Sequence, residues 1–305
     1  MSDTPNELVH TYAGSPVERG EALRRDEQTI DQLRGSDQAK FLAFHQLKVG
    51  TTQDNQLQWH DGNILQQPLH EVVFLGTHQE QALFAIHLDL AEDSILDDYA
   101  DCRLLASHLS TADTGILAQA RAQLDWHQRN PFCALCGGPT QAERGGQIRR
   151  CSQCKKHIFP RTDAVAIMLI VDEAGGDHCL LGKGQGRMAR ANFYSCLAGF
   201  IDQGESLEEA VRREVWEEAG LRVGHVQYHS SQPWPFPSQL MIGCHGIATH
   251  KDINFDPVEM SDVSWFSREE VASALAGDHP SLNVPGPMAI AHHLIRTWVE
   301  GEVCL

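Results

Sequence analysis

The chain has 305 residues, 42% of them apolar, which is enough for two domains with real cores. Twenty-four basic residues against 41 acidic ones leave a formal net charge of −17, a balance that repels phosphate backbones and disfavours tight generic binding of long nucleic acid. A short nucleotide or an RNA 5′ end remains readable, because local metals and arginines can overcome the global field.

No apolar run reaches ~18 residues, so no membrane span is expected. The polar, acidic start Met-Ser-Asp-Thr-Pro-Asn-Glu is unlike a secretory or transit signal, and the final Glu-Val-Cys-Leu is neither a peroxisomal address nor a prenylation box. A cytoplasmic, reducing location is the expectation.

In chain order, Phe41–Lys48 and Glu71–Leu75 read as strands, and Gln81–Leu88 alternates as another after a turn over residues 76–79. Residues 115–127 carry an apolar stripe at helical spacing. Cys133-Ala-Leu-Cys136 and Cys151-Ser-Gln-Cys154 follow, two C-x2-C knuckles fourteen residues apart. Four thiolates so spaced suit tetrahedral Zn²⁺ and leave no open position for water, so the zinc reads as structural. Disulfides are the poorer reading in a reducing compartment. The other cysteines, Cys102, Cys179, Cys196, Cys244 and Cys304, are assigned no chemistry.

Ala164–Val171 is an apolar run long enough for a buried strand, residues 173–177 turn, and His178–Gly182 returns. A basic, glycine-rich loop covers residues 183–190, and Cys196–Phe200 leads into the most informative segment. Ser206 and Glu209 form a capping box, Leu207, Ala210, Val211, Val215 and Ala219 give an apolar stripe, and Gly220 suits the position after the helix. Glu214, Glu217 and Glu218 stand at i, i+3 and i+4 and share one face. Taken alone, a Glu-rich face is a solvated surface. Crowded carboxylates are unfavourable unless cations sit between them, and hard divalent ions take oxygen ligands completed by substrate phosphates. Beyond lie a stiff Pro-rich loop, Ser231-Gln-Pro-Trp-Pro-Phe-Pro237, strands at residues 240–249 and 263–266, and helices at 268–275 and 288–300. The adjacent His292 and His293 point about 100° apart on a helix and cannot easily share a metal, so they read as surface histidines.

The spacing Gly199, five residues, Glu205, seven residues, Arg213-Glu214-Val215, one residue, Glu217-Glu218, one residue, Gly220-Leu221 matches every fixed position of the Nudix box. Over residues 115–296 the chain further resembles the NADH pyrophosphatases, a Nudix subfamily that also removes NAD caps from RNA. Trp126-His127, the four cysteines, Phe159-Pro160-Arg161, Leu197-Ala198-Gly199-Phe200, the Pro-rich motif, and Glu259 before Trp265 carry that resemblance. Two positions depart from the subfamily pattern: Gln239 stands where a Ser is usual, and Ala164 follows Asp163 in place of Pro. Altered selectivity or rate follows from these, not lost activity.

The resemblance implies a Nudix α/β/α sandwich with a mixed sheet over residues 161–305, a zinc ribbon over 129–160, and an N-terminal α+β domain over 1–128. It implies metal-dependent hydrolysis of the NADH or NAD pyrophosphate to nicotinamide mononucleotide and AMP, and removal of NAD caps from RNA. Glu214, Glu217, Glu218 and Glu259 would hold Mg²⁺ or Mn²⁺, with the Gly199 carbonyl as a further ligand, and Glu218 or Glu259 would act as base. Arg213 orients a box carboxylate, and Glu205 serves the loop. Phe159 and Phe200 would stack on a base, Gln232, Trp234, Gln239 and Ala291 would lie near the nucleotide, and a homodimer completes the pocket. Two alternatives are a broader nucleoside-diphosphate hydrolase acting on ADP-ribose, and a non-catalytic zinc-ribbon binding module.

Overall fold

The computed structural model describes residues 9–90, 99–173, 176–185 and 192–303. Most of the expected basic loop, part of the turn at residues 173–177, the N-terminal segment and Cys304 lie outside them. The chain divides into two units, each internally packed. One holds residues up to His10, Asp163–Gln232, and residues from Gln239 on; the other holds Thr11–Thr162 and Pro233–Ser238.

In the second unit, β1 (Ala39–His45) and β2 (Lys48–Gly50) replace the single strand expected over residues 41–48. Gln46 and Leu47 both adopt positive φ, 48° and 60°, and close a two-residue hairpin that no Gly or Asn announces. β3 (Trp59–His60) pairs with β1. β4 (Leu69–His78) and β5 (Gln81–Leu88) turn at Gln79–Glu80, later than expected. Gly76 lies inside β4 at φ 141°, where a Cβ would come within 2.2 Å of the Glu18 carbonyl oxygen, so it is a close-approach glycine and not the turn. With β6 (Tyr99–Ala100) the sheet order is β4-β5-β1-β2-β6. The helix Thr111–Arg129, N-capped by Ser110, packs Ile116, Leu117, Ala120 and Leu124 into the core beside Leu42, Phe44 and Leu75. The ribbon adds β7 (Thr140–Glu143), β8 (Ile148–Cys151) and β9 (His157–Ile158), an antiparallel sheet too short and polar to read from sequence.

The first unit is built on β10 (Asp163–Val171), β11 (His178–Gly184), β12 (Leu197–Phe200), β13 (Val223–Trp234), β14 (Gln239–Ala248) and β15 (Met260–Ser267). Their order is β13-β14-β10-β11-β15, with β12 beside β10, and β10 runs parallel to β14. β13 was not expected; its polar residues and the prolines beyond them hide the strand. Ala166, Met168 and Ile170 meet Ala210, Val211 and Val215 of the helix Leu207–Ala219. Ile167, Leu169 and Val171 point the other way, toward Val271 of the helix Arg268–Ala276 and Leu294 and Trp298 of the helix Ile290–Val299. A strand buried on both faces has no polar alternation, which accounts for the apolar run. The result is an α/β/α sandwich with a mixed sheet.

The two main sheets share one connectivity. In each, the first strand is central, the second pairs antiparallel to it, a short third strand also pairs with the first, and the fifth runs parallel to the first. Between the third and fourth strands the first unit has its glutamate-bearing helix, whereas the second has a single 3₁₀ turn, Gly62–Gln66, without a carboxylate.

Histidines crowd the C-terminal helix of the first unit. His293 is buried, with Nε2 at 2.9 Å from the Pro287 carbonyl and its ring edge-on to His10, so the expectation of a surface residue fails. The apolar stripe of that helix is wide enough to include position 293. Burial lowers both His10 and His245 to a pKa of about 4, with neighbouring imidazoles adding to the effect. The unfolded chain takes up these protons near pH 6.5, so the stability they contribute is full above that pH and is lost as pH falls toward 4. Each group adds up to about 1.4 kcal/mol per pH unit in that window. The double variant His10→Gln/His245→Gln is expected to show a shallower fall in denaturant midpoint from pH 6.5 to 4.5 than the wild type. Parallel curves would show that these imidazoles do not govern the acid limb.

Candidate active site

The glutamates ride on the helix Leu207–Ala219, whose ends are fixed by the capping box at Ser206 and by Gly220 in the left-handed conformation at φ 69°. Its apolar stripe against β10 turns Glu214 and Glu218 toward β12, and leaves Glu217 half exposed beside Arg213. Gly199, in β12, packs directly against Glu214: a Cβ there would stand 1.8 to 2.1 Å from the carboxylate atoms. Only glycine fits. Gly199→Ala is expected to push Glu214 out of place and to cost about 10²-fold in turnover, the penalty of roughly 1 Å of misplacement. Its measure is kcat at saturating substrate and metal; an unchanged kcat would show that Glu214 needs no such seat.

Arg213 organises the cluster. It donates to both Glu205 oxygens at 2.6 and 2.8 Å, to Glu214 Oε1 at 2.8 Å, to Glu217 Oε2 at 3.0 Å and to the Phe200 carbonyl at 2.9 Å. Glu205 also accepts from the Asp202 amide, and these bonds hold its carboxyl down at about 2. Glu205 therefore belongs to the loop, tied through Arg213.

Glu214 and Glu218 go the other way. Burial raises Glu214, with Arg213 pulling it back and Glu217 and Glu259 adding to the rise. Burial first, then the charges of Glu214 and Glu259, push Glu218 up to about 8. Its Oε2 is buried and has no protein hydrogen-bond partner. A buried, unpartnered carboxylate oxygen among like charges is costly unless a cation meets it. That environment suits hard divalent metal ions, for which Glu214, Glu217, Glu218 and Glu259 would be the ligands. Among the described residues these carboxylates do not converge as tightly as the cysteines do.

Glu259 is exposed on a turn. Gln185, which sequence reasoning did not single out, donates Nε2 to the carbonyls of Pro257 at 2.9 Å and Met260 at 3.1 Å and so fastens that turn. No motif marks it; only the fold brings it there.

The remaining residues fall into two groups. Phe200 is exposed at the end of β12, and Gln239 opens β14 in register with Asp163. Gln232 is buried, donating Nε2 to the Met288 carbonyl and accepting from the Ile290 amide, both at 2.8 Å, so its amide anchors the start of the helix that carries the buried Ala291. In the second unit, Phe159 is exposed, and Trp234 packs edge-on against Tyr12 and Phe236.

Also in that unit, Cys133, Cys136, Cys151 and Cys154 bring their sulfurs within 4.8 Å of one another, with the 133–154 and 136–151 pairs at 3.7 and 3.5 Å. Four ligands about 2.3 Å from a central Zn²⁺ require S···S separations near 3.8 Å, so the thiols fit a tetrahedral zinc site. They form no disulfide.

Comparison with known proteins gives three family matches: a NUDIX domain over residues 160–283, an NADH pyrophosphatase-like rudimentary NUDIX domain over 38–126, and an NADH pyrophosphatase zinc ribbon domain over 128–159. The chain is similar to Nudix hydrolase 19, chloroplastic, of Arabidopsis thaliana, at 38% identity over 75% of this chain and 64% of that one. It is similar to the human NAD-capped RNA hydrolase NUDT12, at 42% identity over 72% of this chain and 50% of the relative. The mouse mitochondrial NAD(P)H pyrophosphatase NUDT13 is 37% identical over 78% of this chain and 74% of its own length. The chain thus spans between half and three quarters of these relatives. Among the described residues no helix is long and apolar enough to cross a membrane.

Proposed function

The chain belongs to the Nudix hydrolases, and on that premise we propose that it hydrolyses the pyrophosphate bond of NADH or NAD to nicotinamide mononucleotide and AMP, and removes NAD caps from RNA. The observation that carries the reading is the buried, unpartnered Glu218 oxygen among Glu214, Glu217 and Glu259, a site whose charge calls for divalent metal. Both activities are those for which the relatives described above are named.

Mg²⁺ or Mn²⁺ held by these carboxylates would supply charge neutralisation at the two phosphoryl groups. Glu218 or Glu259 takes a proton from the attacking water, which adds to one phosphorus while the bridging oxygen leaves with the other. Arg213 keeps Glu214 and Glu217 aimed through the bonds given above. Phe200 and Phe159, exposed aromatics outside any core, are suited to stacking on a base, worth ~1–3 kcal/mol. Gln232 acts by holding the helix start at Ala291. Trp234, inside the Pro-rich loop, and Gln239, just after it, are proposed to set selectivity. A homodimer is supported by the ribbon's exposed Phe132 and Leu135.

Product analysis with Mg²⁺ or Mn²⁺, offering NADH, NAD, ADP-ribose and NAD-capped RNA in parallel, tests the proposal. Nicotinamide mononucleotide plus AMP, formed fastest from NADH or capped RNA, is expected. A preference for ADP-ribose would move the chain to the broader hydrolase reading, and no cleavage by folded, metal-loaded protein would leave the binding module.

A further inference from the structure

Within the second unit, Arg103, Arg121 and Arg129 converge on one cavity of about 390 Å³, completed by Asp101, Phe236 and Pro237. In a chain of net charge −17, three arginines at one opening run against the overall balance. The Arg103 and Arg121 guanidinium carbons lie 4.2 and 4.4 Å from the centroid of the same Phe236 ring. The two charges therefore stand within a Debye length of each other, about 10 Å at 0.1 M salt. One cation over a phenyl ring is stabilising, but a second adds like-charge repulsion.

Local acids offset the positive charge only in part. Asp101 uses Oδ1 to accept from the Arg103 and Leu104 amides at the start of a helical turn. Asp125 takes the Nε of Arg129 at 2.6 Å, leaving both Nη groups of that residue without a protein partner among the described residues. The Arg103 guanidinium forms no hydrogen bond or ion pair among them. Arg121 is the anchored member, donating to the Pro235 carbonyl. The arrangement offers planar N–H forks to an anion, and guanidinium forks match phosphate oxygens in pairs.

We propose that this cluster binds backbone phosphates of single-stranded RNA. The assignment of RNA rests on the cap-removal reading above; the preference for phosphate rests on the three arginines. Such binding is electrostatic, indifferent to base sequence and salt-sensitive.

The test measures fluorescence anisotropy of a 3′-labelled, uncapped single-stranded 12-mer RNA with a 5′-hydroxyl, titrated with the full chain over a salt series. Arg103→Ala/Arg129→Ala is expected to weaken binding about tenfold at low salt and to flatten the slope of log affinity against log salt by about 1.4, near 0.7 per lost phosphate contact. NADH turnover is expected to stay at the wild-type value, and Arg103→Lys/Arg129→Lys to recover most of the slope. An unchanged slope and affinity in the alanine variant would overturn the proposal. So would displacement of the RNA by AMP at equal phosphate concentration, which would make this a mononucleotide site, or a parallel loss of NADH turnover, which would mark a structural role. A wild type that binds RNA through these arginines yet cleaves no dinucleotide would leave this site standing and sink the hydrolase reading.

Discussion

Glu218→Gln is expected to hydrolyse NADH about 10²- to 10⁴-fold more slowly than the wild type, the range that a positioned acid–base group contributes. The variant keeps the shape of a buried side chain and removes only its charge, so the loss falls in kcat with the fold intact. A second readout separates chemistry from damage. In the folded chain the Glu218 carboxyl keeps its proton up to a pKa of about 8, against an ordinary 4.5, because it is buried beside Glu214 and Glu259. The stability this group contributes without metal is therefore full below 4.5 and lost as pH rises through 8. The Gln variant is expected to lack that alkaline loss and, at pH 9 without added divalent metal, to melt above the wild type. It is also expected to gain less from Mn²⁺, because binding to the native state stabilises in proportion to affinity. Turnover within threefold of the wild type would remove Glu218 from the chemistry.

Replacement of a ribbon cysteine is expected to act through stability. Cys151→Ser removes a thiolate from the four-sulfur set, and binding at structural zinc sites of this kind is worth about 10–16 kcal/mol in isolated modules. Cys151 ends β8, two residues after Arg149. That arginine donates to Glu71 Oε2 at 2.6 Å, to Thr140 Oγ1 at 2.7 Å and to the Thr140 carbonyl at 3.0 Å, and shares a hydrogen bond of 2.6 Å with His127 Nδ1. Loosening β8 thus frees a buried guanidinium and the Glu71 carboxylate together, and breaking a buried pair costs several kcal/mol more. The expected result is a melting temperature lower by roughly 10 °C or more, with zinc falling from one per chain to near zero by elemental analysis. Full zinc content and unchanged melting would show that three thiols suffice.

The carboxylate helix and the cysteine knuckles were legible because each rests on local rules: capping, helical spacing and tetrahedral ligand count act within a few residues. The long apolar strand β10 was legible for the same reason. What the sequence hid depends on distant pairing. The Gln46–Leu47 hairpin uses residues that turns rarely favour, and its register is imposed by the strands around it. β13 reads as polar chain because one face is open. Gln185 and Arg103 carry no motif, and their neighbours come from 72 residues along the chain in one case and from the Pro-rich hexapeptide in the other. The repeated connectivity of the two sheets left no readable period, since the second copy lacks the carboxylate helix that marks the first.

The membership of Pro233–Ser238 has a consequence for how such a chain is inherited. The catalytic sheet gives up six residues to the other unit, the last two of β13 and the four that lead to β14, and that unit is itself inserted after His10. No single cut in the gene separates the two. A crossover upstream of the box would exchange Thr11–Thr162 and leave the hexapeptide behind, facing a foreign partner. A substitution at Tyr12, Arg103 or Arg121 is thus felt at Trp234 or Phe236, residues that reach their own unit only along the chain of the other.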